Sequence, residues 1–309
     1  MVDENKKTHC EICNGEDISV IYQGPIRDGA FGSTIEKSQI YKCNTCGISK
    51  VDENDSFEQK NYESSVYREE MGQGLSIDDF FNSSKNNLLS TLKVWDWANK
   101  LNIPIVYASS SAIYGNLPLG DDRVEKFDIL SPYAQDKLTM EHYANMAWNV
   151  YQTKSIGLRF FNVYGPKQDP SNPYSGVISI FIDRLLKGLP LTVNGGYQTR
   201  DFVYVKDIVN CLVHSMKEVQ NCSLCTSFNV GTGKSVTIDS LLANLIEITK
   251  SSPCINKEKL PLGDPEISAG TYEKLKNNLG INIKHFTSLN EGLNLTVKYI
   301  IDNERNAKV

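Results

Sequence analysis

The chain lacks what would carry it to nucleic acid or into a membrane. Its 309 residues hold 32 Lys and Arg against 37 Asp and Glu, a net charge of −5. Without a basic surface to meet phosphate, nucleic acid is excluded as a partner. No apolar run approaches the roughly 20 residues that a membrane span requires. The polar opening, Met1-Val2-Asp3-Glu4-Asn5-Lys6-Lys7, has no apolar stretch behind it, so no secretory leader is expected and the expected location is the cytoplasm. The eight cysteines are then read as thiols or metal ligands rather than disulfides.

A glycine-rich phosphate turn is also missing. Gly24, Gly29 and Gly32 follow the apolar run Ile18 to Tyr22, but their spacing is five and three, and no helix-forming run precedes Cys43. They read as a loop. Gly231-Thr232-Gly233-Lys234-Ser235 is no P-loop, because Phe228 stands where the first glycine must be.

What is present begins with Cys10-x-x-Cys13 and Cys43-x-x-Cys46-Gly47. Two cysteines at this spacing chelate one ion from a tight knuckle, and two knuckles complete a tetrahedral thiolate site. A structural zinc ribbon over residues 1–50 is expected, with Cys10, Cys13, Cys43 and Cys46 as ligands. Residues 51–83 are polar and read as a linker with room for one short helix. From Asn86 to Lys100, apolar residues at Leu88, Leu89, Leu92, Trp95 and Trp97 read as an amphipathic helix.

The stretch around which the rest is organised comes next. The apolar run Ile103 to Tyr107 breaks into Ser109-Ser110-Ser111, a buried strand ending in a polar loop. Tyr133 and Lys137 follow at the start of a helix predicted over Pro132 to Tyr151. Four positions apart, they share one helical face. An ammonium beside a phenol favours the phenolate, which can take a proton while a serine hydroxyl holds the reacting oxygen. Strands and helices then alternate to the closing helix at Leu289 to Asp302, the pattern of an α/β protein.

Ser111 with Tyr133-x-x-x-Lys137 resembles the extended short-chain dehydrogenases/reductases, and most closely their NAD-dependent nucleotide-sugar epimerase/dehydratase branch, the UDP-glucose 4-epimerase type. Further stretches agree in order: Leu158-Arg159-Phe160-Phe161-Asn162-Val163-Tyr164-Gly165-Pro166, Ser175-Gly176-Val177-Ile178, Arg200-Asp201-Phe202-Val203-Tyr204-Val205 and Phe228-Asn229-Val230-Gly231-Thr232-Gly233. The resemblance runs from about residue 84 to the C-terminus. It implies catalysis by Ser111, Tyr133 and Lys137, with Tyr133 and Lys137 also touching NAD. It implies that Asn162, Val177 and Arg200 hold a UDP-sugar, and that the chain is a homodimer through helices 86–100 and 132–151. Residues 1–80 resemble instead the zinc-binding head of sugar methyltransferases, and surface-polysaccharide synthesis is a context common to both.

The expected fold class is therefore α/β: a small zinc ribbon, then at 84–309 an incomplete Rossmann-type parallel sheet with a small nucleotide-sugar lobe. The family's glycine loop and its first strand–helix units have no counterpart in the sequence. That gap leaves open a nucleotide-sugar-binding remnant without turnover, or a chimera. A dehydratase is disfavoured, because Ala112-Ile113 follows Ser111 where dehydratases of the family carry Asp-Glu.

Overall fold

The computed structural model describes residues 15–27, 34–45, 49–51, 77–170, 175–221, 225–261 and 263–306. It divides into two compact units, residues 1–61 and 62–309.

In the first unit, β1 (Ile18–Arg27), β2 (Thr34–Cys43) and β3 (Ser49–Val51) form an antiparallel sheet in that order. The strands are longer than the apolar runs that announced them, and the β1–β2 register places Ile18 opposite Cys43 and Gly24 opposite Ser38. Gly24 thus lies inside a ladder and not in a phosphate turn. Cys43 is buried at the end of β2. The next turn is tied back by Asn44, whose backbone N–H and side-chain amide both reach Asp17 at 2.9 Å. Cys10, Cys13 and Cys46 lie outside the described residues. Among the described residues no group of three or more His, Cys, Asp or Glu forms a metal site.

The second unit opens with α1 (Ile77–Ser84), a π-type turn at Lys85–Leu89 and α2 (Ser90–Leu101). Helix thus starts ahead of the expected boundary at residue 84. The reason is tertiary rather than local: the Ser83 and Ser84 hydroxyls donate to the buried Asp136 carboxylate at 2.5 and 2.7 Å. Ile77, Phe80 and Phe81 do fall at helical spacing, but Phe80 and Phe81 stay exposed, so the apolar positions are not what docks the helix.

The central sheet is parallel, in the order β4 (Ile105–Ser110), β5 (Ser155–Phe160), β9 (Thr226–Val230). Between β4 and β5 runs α3 (Pro132–Tyr151), whose ends carry their own signals. Ser131 accepts from the Ala134 N–H at 3.2 Å, Pro132 occupies the first turn, and Gln152 ends the helix in the left-handed region. Side chains alternate along the strands. Ile105 and Tyr107 pack with Trp95 of α2 and Met140 and Ala144 of α3. Val106, Ile156 and Leu158 pack with Ile208 and Cys211 of α5 (Val205–Glu218).

A smaller lobe follows. β6 (Asn162–Tyr164) pairs parallel with β8 (Thr199–Tyr204), which pairs antiparallel with β10 (Ser235–Thr237). β7 (Leu191–Asn194) pairs parallel with β11 (Ile255–Glu258). Helices α4 (Val177–Lys187), α6 (Ile238–Thr249) and α8 (Leu289–Asn306) share one apolar core with these strands, built on Ile182, Leu191, Leu241, Leu245 and Leu293. The short α7 (Glu273–Leu279) packs beside β9.

Candidate active site

Parallel strands carry their chemistry at their carboxyl ends, and β4 ends in three serines. The strand runs through Ser110, and Ser111 opens a single 3-10 turn, Ser111–Tyr114. Gly115 closes that turn at φ +51°, and an added Cβ would lie 2.1 Å from the Asp128 carbonyl oxygen, so only glycine fits there.

Tyr133 and Lys137 face this strand end from α3. The Lys137 ammonium lies 5.5 Å from the Tyr133 ring centroid and donates to the Ala108 carbonyl at 2.9 Å. Burial raises the Tyr133 ionisation, and a hydrogen bond from the Ser110 hydroxyl opposes that rise. Burial lowers the Lys137 ionisation, and the neighbouring Asp136 carboxylate opposes it. The expected serine and the serine that meets the phenol therefore differ by one position. Ser111 is half-buried in the 3-10 turn, while Ser110 is the serine that opposes the rise in the Tyr133 ionisation. Ser110 also accepts from the Ala112 N–H at 3.1 Å.

Behind this trio lies a buried polar chain. Glu141, one turn beyond Lys137, accepts from the Ser109 hydroxyl and from Arg159 Nε and Nη2 at 2.9 and 2.6 Å. Arg159 Nη1 donates to the Tyr114 hydroxyl at 2.7 Å, which donates to Asn229 at 2.8 Å. Burial pushes the Tyr114 phenol up to about 12, against the lowering effect of Arg159. Neither Glu141 nor Arg159 was singled out from sequence. The signal was there: Tyr133, Lys137 and Glu141 follow one another at four-residue spacing on one helical face.

The other expected contacts lie in the small lobe. Asn162 opens β6 in register with Phe202, and Val177 opens α4 after the cap residue Gly176. Arg200, on β8, is buried. It donates to the Thr199 carbonyl at 2.8 Å and pairs with Asp264, not with its neighbour Asp201. Asp201 is fully buried and holds the loop after β9 instead. It accepts from the N–H groups of Thr232 (3.0 Å) and Gly233 (2.9 Å), from the Thr232 hydroxyl (2.5 Å) and from the Tyr272 hydroxyl (2.6 Å). These N–H groups are the ones a phosphate would need, and a carboxylate already uses them.

Comparison with known proteins agrees with this architecture. Residues 32–231 match the NAD dependent epimerase/dehydratase family, starting earlier than the motifs alone suggested. The chain belongs to that family. A protein of Methanocaldococcus jannaschii is 37% identical over 161 residues, 50% of each chain. The UDP-glucose 4-epimerase of Mycolicibacterium smegmatis is 33% identical over 162 residues, 51% of this chain and 50% of its own. The Thermotoga maritima UDP-glucose 4-epimerase, solved with UDP-glucose, superposes with a TM-score of 0.67 at 32% identity over 74% of each chain. The Thermus thermophilus UDP-glucose 4-epimerase, solved with NAD, gives 0.64 at 32% identity over 75% of this chain and 74% of its own. The chain spans about half to two thirds of the length of the curated relatives it matches.

Proposed function

We propose that this chain carries the proton-transfer and nucleotide-sugar half of a UDP-hexose 4-epimerase. The observation that carries the reading is the convergence of Ser110, Tyr133 and Lys137 at the end of β4. In this reading Tyr133 removes the proton from the sugar C4 hydroxyl. Lys137 stabilises the resulting phenolate by charge, and a serine of the strand end, Ser110 or Ser111, orients the sugar oxygen. The protonated tyrosine returns the proton after the keto-sugar has turned over. NAD, when bound, supplies reversible hydride acceptance at the sugar carbon.

The residues fit one end of NAD better than the other. In this reading Tyr133 and Lys137 meet the nicotinamide ribose. The pyrophosphate needs free N–H groups on a glycine turn at a helix N-terminus. The described residues offer none in a suitable place: Gly24 is in an antiparallel ladder, and the N–H groups of Thr232 and Gly233 are bonded to Asp201. Charge-assisted hydrogen bonds are each worth about 1.5–3 kcal/mol, so losing several weakens affinity by roughly three orders of magnitude. The isolated chain is therefore expected to bind a UDP-sugar better than NAD.

On the sugar-nucleotide side, Arg200 is the diphosphate clamp, reached by displacing Asp264, whose side chain is 42% exposed. Asn162 and the N-terminus of α4 at Val177 complete the site. A dehydratase is disfavoured because neither Ser111-Ala112 after Ser110 nor Ala112-Ile113 after Ser111 supplies the Asp-Glu pair. The nucleotide-sugar-binding protein without turnover is the second reading, favoured by the missing pyrophosphate seat. Cys10, Cys13, Cys43 and Cys46 hold one structural zinc. The solvent faces of α2 and α3, exposing Val94, Trp97, Leu101, Val150 and Tyr151, form a homodimer contact. A cytoplasmic role in polysaccharide precursor synthesis fits this chemistry.

The test is conversion of UDP-glucose to UDP-galactose by the chain with excess NAD. The account expects no measurable turnover by the isolated chain, together with binding of UDP-glucose that Arg200→Met weakens. Failure of UDP-glucose to bind at all would sink it.

A further inference from the structure

Three consecutive residues at the end of β4 each touch α3. The Ala108 carbonyl accepts from Lys137 Nζ at 2.9 Å. The Ser109 hydroxyl donates to Glu141. The Ser110 hydroxyl acts on the Tyr133 phenol, lowering its ionisation. The middle contact is the most buried of the three: Ser109 is 2% exposed and Glu141 5%, and the carboxylate is held from its other side by Arg159, 7% exposed.

We propose that Glu141, acting through Ser109, is a positioning residue that fixes the β4 end so that Ala108 and Ser110 engage Lys137 and Tyr133 together. The proposal rests on the reading of Tyr133 and Lys137 as the reactive pair. The argument is one of geometry. β4 is the edge strand of the described sheet, so its last residues, Ala108 to Ser110, are held by β5 on one side only. Here the residue between the two functional contacts is fastened to the same helix that carries both functional side chains. Tyr133, Lys137 and Glu141 lie on one face at successive turns, so three bonds from one strand meet three positions of one helix. The Glu141–Arg159 pair would satisfy itself without the serine. The Ser109 hydroxyl adds nothing to the charge balance, but it ties the strand to the helix between the two contacts. The Arg159 fork holds the Glu141 carboxylate in place while its Oε1 also accepts from the Ser109 hydroxyl.

The groups acting on Tyr133 among the described residues are Ser110 from β4 and, on its own helix, Lys137 with Asp136 beside it. If Ser109 lets go, the Ser110 bond is made for a smaller share of the time. That bond opposes the upward push of burial, so weakening it raises the Tyr133 ionisation.

Glu141 is a poor first choice for substitution, because its loss leaves Arg159 buried and unpaired. Ser109→Ala leaves the ion pair intact. The full chain is labelled with 3-fluorotyrosine, which brings phenol ionisation into a milder pH range. Tyr133 is assigned by its loss in Tyr133→Phe and titrated by fluorine NMR, with circular dichroism as the control for folding. Ser109→Ala is expected to raise the Tyr133 midpoint by about one unit, a tenfold change in the ionisation constant. Ser109→Thr, which restores the hydroxyl, is expected to return it to the starting value. A folded Ser109→Ala chain whose Tyr133 midpoint is unchanged overturns the proposal, and so does a Ser109→Thr chain that stays shifted. No turnover is measured, so absence of epimerase activity leaves this test standing.

Discussion

Replacing Asp201 with Asn should unfold much of what the small lobe holds. Its carboxylate is fully buried and accepts from four donors: two backbone N–H groups, a threonine hydroxyl and the Tyr272 phenol. An asparagine keeps one carbonyl oxygen, enough for two of them, and turns an NH2 group toward the others. Each bond to a charged acceptor is worth about 1.5–3 kcal/mol, so losing two costs about 3–6 kcal/mol. Against a total stability of about 5–15 kcal/mol that is a large fraction. Urea unfolding followed by circular dichroism measures it, and Asp96→Asn serves as the control, since its pair with Lys100 is exposed on both sides and its loss should cost under about 1 kcal/mol. An Asp201→Asn chain within about 1 kcal/mol of the parent would refute the reasoning. It would also reopen the glycine loop at Gly231–Gly233 as a phosphate seat, because the claim that its N–H groups are spent rests on this carboxylate.

Three further outcomes follow. Stability should fall in alkali: the Tyr114 phenol ionises at about 10 when unfolded and at about 12 when folded, so its contribution is fully present below pH 10 and lost as pH rises through 12, about 2–3 kcal/mol in all; urea midpoints that stay flat between pH 9 and 12 would contradict this. Elemental analysis of chain purified without chelator should give one zinc per chain, and Cys43→Ser should raise amide exchange in β1 and β2 while leaving the parallel sheet protected; metal-free protein would remove the zinc ribbon. Trp97→Glu should shift a dimer to monomer in sedimentation, since Trp97 is 63% exposed beside Val94 and Leu101; a parent chain that is already monomeric at high concentration would end that claim.

How much of this was legible beforehand differs from element to element. Helix α3 was read to the residue because its limits are local: Ser131 and Pro132 at one end and the end of the apolar pattern at Tyr151. Helices α4 and α6 carry local limits of the same kind, Gly188 after the one and Thr237 before the other. Strand β4 was read two residues too early at its start and three too early at its end, because serines carry no strand signal while the pairing with β5 that extends it is not local. That same extension decides which of three adjacent hydroxyls meets Tyr133, something spacing cannot rank. The polar stretch before residue 84 left room for one short helix but did not place it, because Asp136, more than fifty positions away, supplies the anchor of α1. Glu141 and Arg159 were overlooked because a charged residue in sequence reads as surface until its partner is known. Arg200 was recognised, but its partner Asp264 comes from sixty-four positions downstream.

The most direct test of the central claim is isothermal titration of the chain with UDP-glucose and, separately, with NAD. The account predicts measurable heat and a defined affinity for UDP-glucose, reduced by Arg200→Met, and binding of NAD roughly a thousandfold weaker than a complete glycine turn would give. Tighter binding of NAD than of UDP-glucose, or steady conversion of UDP-glucose abolished by Tyr133→Phe, would contradict it.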